Sequence, residues 1–381
     1  MEISHIKKNI LFLAFWYPNK YNRQFCVFVQ EHARAIHVSG NNIKVLAVHF
    51  LKSRQLFKKY EEIEIDSFGF EVHHLYIESY LYKWIHINPW HCFRIVEKYF
   101  RTHVKDFKPE IIHSNIVGVC AITGMKLAEK YRLKHVITEH WTRVDKYMAN
   151  NKLSFLGKKA YNSANAVTVV SDFLGNIVGK YVADKITIRK VANVIDSNTF
   201  SYHQKNKQPD KLVFSFIGHL RLPKLPILIV EAVEKYAKTT NKKIILYIYG
   251  EGPQRSIIEK LIPDLHFSIV LRGLQPKVEL AETLQKSDVY LHASSYETFC
   301  VAIAEALSTG TPVLCSNNTA IPELIDNNNG ILVEDTVEDW KNGLINILKM
   351  KYNHESISQS VKDRFSYSAI GWQFSSVYNS I

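Results

Sequence analysis

Cysteine is scarce. The 381 residues hold five, at positions 26, 92, 120, 300 and 315, and no two form a C-x-x-C pair. That excludes a dense disulfide framework and points to free thiols in a reducing cytoplasm. Long apolar runs are also missing. The longest early one, Ile10 to Tyr17, has eight residues, where spanning a bilayer takes roughly 20, so it reads as a first strand. The pair Lys7-Lys8 ahead of it has the look of a signal peptide, but Pro18 to Arg23 makes a poor cleavage site. There is no HExxH and no DxD, and His73-His74 and His135/His140 lack ligand spacing. No metal and no cofactor is therefore expected. Without GxSxG or a P-loop, a hydrolase lacks its nucleophile and a kinase its phosphate cradle. No short-period repeat is visible.

What remains is a chain 46% hydrophobic and 22% charged, with a net charge of +12. These are the proportions of a soluble globular protein, and the length suits two domains. The charge is unevenly placed. Residues 1–200 carry 29 Lys and Arg against 17 Asp and Glu, whereas residues 201–381 carry 19 of each. A one-sided basic surface suggests an anionic partner such as nucleic acid, phospholipid or an acidic substrate. A plain solubilising surface is the alternative.

Apolar segments alternate with helical ones along the whole chain. The pattern predicts a strand over 10–17, a helix over 27–38 ending at Gly40, and a strand over 43–48, which is an opening βαβ unit. Residues 71–77, 111–114, 134–138 and 166–170 read as further strands. Residues 92–107 read as an amphipathic basic helix within an aromatic stretch holding Trp84, Trp90 and Phe93. Residues 201–211 contain no aliphatic side chain and read as a linker. A second series follows: strands at 212–217, 243–249, 267–271 and 288–293 alternate with helices at 224–239, 253–261 and 278–286. The expected fold is α/β, with two Rossmann-like doubly wound domains facing across a cleft: 1–200, with a terminal helix at 365–381 packing back on it, and 212–364.

Four constellations carry chemistry. Gly218 closes a strand, and the cations Arg221 and Lys224 follow just before a helix. Glycine permits close backbone approach, and paired cations neutralise a diphosphate. The bland alternative is a βα turn with two surface cations. Gly250-Glu251-Gly252-Pro253 reads as a tight strand-to-helix turn, since GxGxxG is not completed. Glu297 and Glu305 stand eight positions apart, after one apolar strand and before Gly310-Thr311-Pro312-Val313. Ligands of open α/β sheets bind at the carboxyl ends of strands. Helix starts there favour phosphate, and a neighbouring carboxylate takes sugar hydroxyls. Finally, Thr138-Glu139-His140 ends a strand of the first domain.

These residues resemble the retaining glycosyltransferase family 4, of the GT-B fold, over nearly the whole chain, and in particular its surface-polysaccharide members. Glu297-Thr298-Phe299 through Glu305-Ala306-Leu307 is similar to the family's E-x7-E signature, and Gly218 to Lys224 to its diphosphate motif. Gly250 to Pro253 resembles its G-[DE]-G-P turn, and Asn193 to Phe200 the end of its first domain. The resemblance implies a catalytic set of Glu297, His140, Lys224 and Arg221. It implies donor contacts from Gly218, Leu274, Glu305 and the backbone of Phe299, Cys300 and Val301, and acceptor contacts from Arg23 and Asn115. Departures accompany the match. His219 stands where arginine is usual, Leu225, Cys300 and Cys26 where glycine is usual, and Thr319-Ala320 where two glycines often sit.

The implied function is transfer of a hexose-type sugar from a nucleotide-sugar donor, UDP- or GDP-linked, with retention and without metal. The acceptor would be a saccharide or lipid-linked saccharide. The protein would be cytoplasmic, with possible peripheral contact with an anionic membrane. Alternatives are a sugar-nucleotide 2-epimerase, a glycogen-type synthase or a basic nucleic-acid-binding protein. The last leaves the Glu297/Glu305 spacing unexplained and has no RRM- or KH-type motif, so no nucleic acid partner is expected.

Overall fold

Strands that are apolar along their whole length bury both faces, as parallel sheets covered by helices require. The computed structural model has two such sheets. It describes residues 7–150, 152–204 and 208–381, so residues 205–207 of the expected linker lie outside the described residues. The chain forms two compact units, Met1–Val194 with Tyr367–Ile381, and Ile195–Ser366.

The first unit holds β1 (Asn9–Ala14), β2 (Asn42–Lys52), β3 (Lys58–Ile65), β4 (Glu71–Ser79), β5 (Ile111–Asn115), β6 (Lys134–Glu139), β7 (Ala166–Val169) and β8 (Ile188–Lys190). Their order across the sheet is β3-β4-β2-β1-β5-β6-β7-β8. All pairings are parallel except that of β3 with β4. The central strand β1 is almost wholly buried, and it pairs Ile10 with Ile43 on one side and with Ile111 on the other. The connection reverses direction between β1 and β5, which makes that crevice the switch point of the sheet.

The second unit holds β9 (Lys211–Ile217), β10 (Lys243–Tyr249), β11 (Ser268–Gly273), β12 (Val289–His292), β13 (Val313–Ser316) and β14 (Gly330–Val333). The order β11-β10-β9-β12-β13-β14 is the doubly wound 3-2-1-4-5-6 arrangement. Its switch point lies between β9 and β12. A single apolar core joins β9, β10 and β12 to the helices Pro226–Ala237 and Val337–Ile347, with Trp340 fully buried.

Two expectations need correction. The first domain does not run to residue 200. Phe200 is fully buried and its carbonyl accepts from Ser308 Oγ at 2.7 Å, while Ile195 N–H donates to the Phe365 carbonyl at 2.8 Å. Residues 195–200 are therefore held by the second unit, and the returning helix starts at Tyr367. The expected single helix over 92–107 is also broken. A helix runs Pro89–Tyr99, with the Asn88 side chain accepting from the Trp90 and His91 amides. It widens into a π turn at Phe100–Val104, then tightens into a 3₁₀ turn ending at left-handed Lys108. Phe100 and Val104 are both buried, and the wider turn keeps both on the core side. Among the described residues, no helix is long and apolar enough to cross a membrane.

Candidate functional site

At the switch point of the second sheet, the loops leaving β9 and β12 run against each other. Lys224 and Ser294 form an isolated antiparallel bridge, Leu225 N–H donates to the Ala293 carbonyl at 3.0 Å, and Ser295 N–H to the Pro223 carbonyl at 2.8 Å. This pairing holds Lys224 beside Glu297, although they are 73 residues apart. Glycine makes the floor of the site. A Cβ at Gly250 would stand 2.0 Å from the Gly218 carbonyl oxygen, and one at Gly252 2.4 Å from that of Leu220. The Gly250–Pro253 turn is therefore packed backbone to backbone under the Gly218–Lys224 loop.

Lys224 Nζ donates to Glu297 Oε1 and, at 3.1 Å, to His292 Nε2. The ion pair is sheltered, with side-chain exposures of 17% and 13%. His292 ends β12 and is fully buried. The Tyr290 hydroxyl donates to the Ile217 carbonyl at 3.1 Å and lies 2.9 Å from His292 Nδ1, while Nε2 lies 3.0 Å from Glu297 Oε1. Burial and then the Lys224 charge push the His292 pKa down to about 4, so the ring is neutral at pH 7. For Glu297, burial acts upward, but His292 and the Lys224 charge outweigh it and hold the carboxyl well below the usual range. His219 is lowered by burial and then by Arg221 and Lys224, which marks this loop as a concentration of positive charge.

Apart from Cys26, which lies in the first unit, the residues that depart from the resemblance sit on the loops of this arrangement. Cys300, at φ 74°, and Thr319, at φ 51°, both have left-handed backbones that glycine would take without strain. Here their side chains make contacts. Thr319 Oγ1 accepts from the Glu297 amide at 3.0 Å, and Cys300 Sγ lies 3.2 Å from His292 Nε2. Cys300 also begins the helix Val301–Ser308, with no side-chain cap on the first turn. Phe299 is buried edge-on against Phe365 at 5.4 Å, and Glu305 is half-buried one turn inside the helix. Arg221 is exposed on the β9 loop, and Leu274 is 73% exposed after left-handed Gly273.

Among the predicted site residues, Gly218, Lys224, Glu297 and Cys300 thus come together, with Arg221, Phe299, Val301 and Glu305 on the same two loops and helix. The predicted residues of the first unit form a separate group. Asn115 ends β5 at that sheet's switch point, and its Nδ2 donates to the Leu13 carbonyl at 3.4 Å. Arg23 is exposed and pairs with Glu64 at 3.5 Å. His140 is buried after β6, with its ring 4.9 Å from both Phe28 and His32, and burial lowers its pKa well below the ordinary value. The residue before it, Glu139, is fully buried and accepts from the amides of Val117, His140 and Trp141 and from the Tyr161 hydroxyl. Sequence reasoning missed His292. The only signal was a histidine closing an apolar strand, two positions after a tyrosine that shares its face.

Comparison with known proteins agrees with this anatomy. Residues 27–199 match the model of Glycosyltransferase Family 4, and residues 198–364 that of Glycosyl transferases group 1. The chain is 24% identical over 284 residues to the sulfoquinovosyl transferase SQD2 of Arabidopsis thaliana, a match covering 69% of this chain and 54% of that protein. It is 26% identical over 275 residues to the N-acetyl-alpha-D-glucosaminyl L-malate synthase of Bacillus anthracis, covering 68% of this chain and 71% of the other. The match thus spans about half the length of the first relative. The crystal structure of Anabaena Alr3699/HepE in complex with UDP-glucose superposes with a TM-score of 0.68 at 14% identity, covering 98% of this chain and 100% of that one. The chain thus carries two adjoining glycosyltransferase-type domains, over residues 27–199 and 198–364, on an architecture shared with GT-B structures.

Proposed function

We propose that the protein is a retaining glycosyltransferase that moves a hexose-type sugar from a UDP- or GDP-sugar to a saccharide or lipid-linked saccharide acceptor in cell-surface polysaccharide synthesis, without a catalytic metal. The observation that carries this reading is the Lys224–Glu297 pair at the switch point of the second sheet, at the mouth of an uncapped helix. Lys224 and Arg221 bind the donor diphosphate. As the sugar–oxygen bond breaks, charge grows on the leaving phosphate, and cations that hold it more strongly in that state lower the barrier. Glu297, kept ionised, accepts hydroxyl hydrogens of the sugar, and Glu305 takes those of the ribose. The leaving phosphate oxygen accepts the proton of the acceptor hydroxyl, which attacks from the same face. The UDP-glucose bound by the Anabaena protein supports a nucleotide-sugar donor.

An exposed aromatic patch on the first unit supports peripheral contact with anionic membrane. Leu56, Phe57, Trp84 and Trp90 are each about half or more exposed, and Phe57 and Trp84 meet at His91, with ring distances of 6.3 and 6.1 Å. Amphipathic rings among lysines and arginines suit a charged lipid interface.

A thermal-shift panel of UDP-, GDP- and ADP-sugars tests the donor assignment, because a ligand at 100 times its Kd adds about 2.7 kcal/mol of stability. One nucleotide class is expected to raise the Tm. With that donor, Glu305→Ala should weaken binding roughly tenfold or more, as loss of hydrogen bonds to a charged group predicts, while Lys224→Ala abolishes turnover. A flat panel, or unchanged transfer in Lys224→Ala, would sink the reading.

A further inference from the structure

The three atoms His292 Nε2, Glu297 Oε1 and Cys300 Sγ lie within 4.8 Å of one another. Their chemistry is that of a borderline-soft cation site: imidazole, carboxylate and thiol. A tetrahedral zinc ion with bonds of about 2.0 Å to N and O and about 2.3 Å to S holds such ligands roughly 3.3–3.5 Å apart. Here Nε2 stands 3.0 Å from Oε1 and 3.2 Å from Sγ, close to those separations, and Oε1 and Sγ lie within 4.8 Å of each other. The imidazole is already prepared. Nδ1 lies 2.9 Å from the Tyr290 hydroxyl, which itself donates to the Ile217 carbonyl at 3.1 Å, and Nε2 faces Glu297 and Cys300. An outer hydrogen bond of this kind is what orients metal-bound histidines. At present the place among the three ligands is taken by the ammonium of Lys224, which bonds to both Nε2 and Oε1.

We propose that His292, Glu297 and Cys300 form a binding site for one zinc-like divalent cation, which enters by displacing the Lys224 ammonium and so blocks the position where the donor is held. The exchange balances. Before it, the Glu297 carboxylate is neutralised by Lys224 and the thiol is uncharged. Afterwards, the thiol proton has passed to solvent, and the cation's two charges are met by carboxylate and thiolate. The buried cluster is net neutral in both states, so the cost of burying an unpaired charge is avoided. The fourth ligand position is left to water or a phosphate oxygen. The ligand site rests on geometry alone, whereas the blocking effect rests on the donor assignment above.

The test uses the purified full chain, with Co²⁺ as a coloured substitute for zinc and no nucleotide sugar. One equivalent of Co²⁺ should give a near-ultraviolet thiolate-to-cobalt charge-transfer band, and Zn²⁺ should abolish it. The band should vanish in Cys300→Gly, a residue its backbone accepts, and survive in Cys26→Ser, which removes the half-buried thiol of the first unit. Lys224→Met should bind Co²⁺ at least tenfold more tightly, because the competing ammonium is gone. Absence of the band, or its persistence in Cys300→Gly, overturns the site, and an unchanged Co²⁺ affinity in Lys224→Met overturns the displacement. None of these readouts needs transferase activity, so failure of the donor assignment would leave them intact and failure of the metal site would leave transfer intact.

Discussion

Left-handed backbone without glycine is costly enough that each case calls for a compensating contact. Cys26, Cys300 and Thr319 are three such residues, at φ 51°, 74° and 51°, and all three stand where the resemblance led to glycine. Thr319 shows what is gained. Its hydroxyl accepts from the Glu297 amide and so fixes the backbone from which the key carboxylate projects. Thr319→Ser should keep activity, since the hydroxyl remains. Thr319→Gly relieves the backbone but loses the hydrogen bond, which is worth roughly 1 kcal/mol. We expect a Tm within a few degrees of the parent and kcat reduced about five- to tenfold. Donor turnover and a melting curve on the two variants check this, and equal kcat for both would remove the role. The acidic half of the site was legible because Glu297 and Glu305 have a spacing that survives any detail of packing. His292 was not, because its partners Lys224 and Tyr290 meet it only once β12 is placed beside β9, and sheet order is not written in local sequence.

Elements were read well where both faces are buried and poorly where they are not. The strand at 243–249 matches its expected limits, since an apolar run with no alternation has few other solutions. Strand β3, Lys-Lys-Tyr-Glu-Glu-Ile-Glu-Ile, was missed. It is the antiparallel edge, mostly exposed, and its charges are what an edge strand carries to resist pairing with another chain. The terminal helix was expected to pack on the first unit, and Tyr367–Asn379 does so through contacts no pattern could specify. Asn41 Nδ2 donates to Ser375 Oγ at 2.9 Å, the Tyr378 hydroxyl lies 2.6 Å from His113 Nδ1, and Tyr367 donates to Glu31. Gly371 lets the helix lie against Val27–Val38, because a Cβ there would fall 2.2 Å from the Ala35 carbonyl oxygen. Gly371→Ala should therefore lower stability by about 1–3 kcal/mol, as overpacking does, despite the better helix propensity of alanine. A chemical-denaturation midpoint would show it. An unchanged or raised midpoint would mean that the helix slides at no cost.

On the scale of the whole molecule, the two units differ in what acid does to them. Six histidines of the first unit, His32, His49, His73, His113, His135 and His140, are buried, and burial is the largest cause depressing each pKa. His32 is lowered to about 4, and His49 and His135 to about 3. The second unit has His292 lowered to about 4, and His219 lowered as well. A histidine whose folded pKa is depressed takes up its proton first in the unfolded chain, near pH 6.5. Stability is therefore full above that pH and falls as the pH drops toward the folded value. Each group with a folded pKa of about 3 to 4 contributes a slope of about 1.4 kcal/mol per pH unit, or roughly 2 kcal/mol by pH 5. Glu139 works the other way, because burial raises its pKa and protonation stabilises it folded, but it is one group against six. For His32, His49 and His135 alone, about 2 kcal/mol each is a large part of the stability of an ordinary domain, 5–15 kcal/mol. Calorimetry from pH 7 to pH 5 should then show a transition for the first unit moving to much lower temperature while that of the second moves less. A melting profile that shifts by less than about 3 °C over this range would mean that the unfolded chain takes up no more protons than the folded one. In that case the six histidines would be reached by solvent or paired with carboxylates.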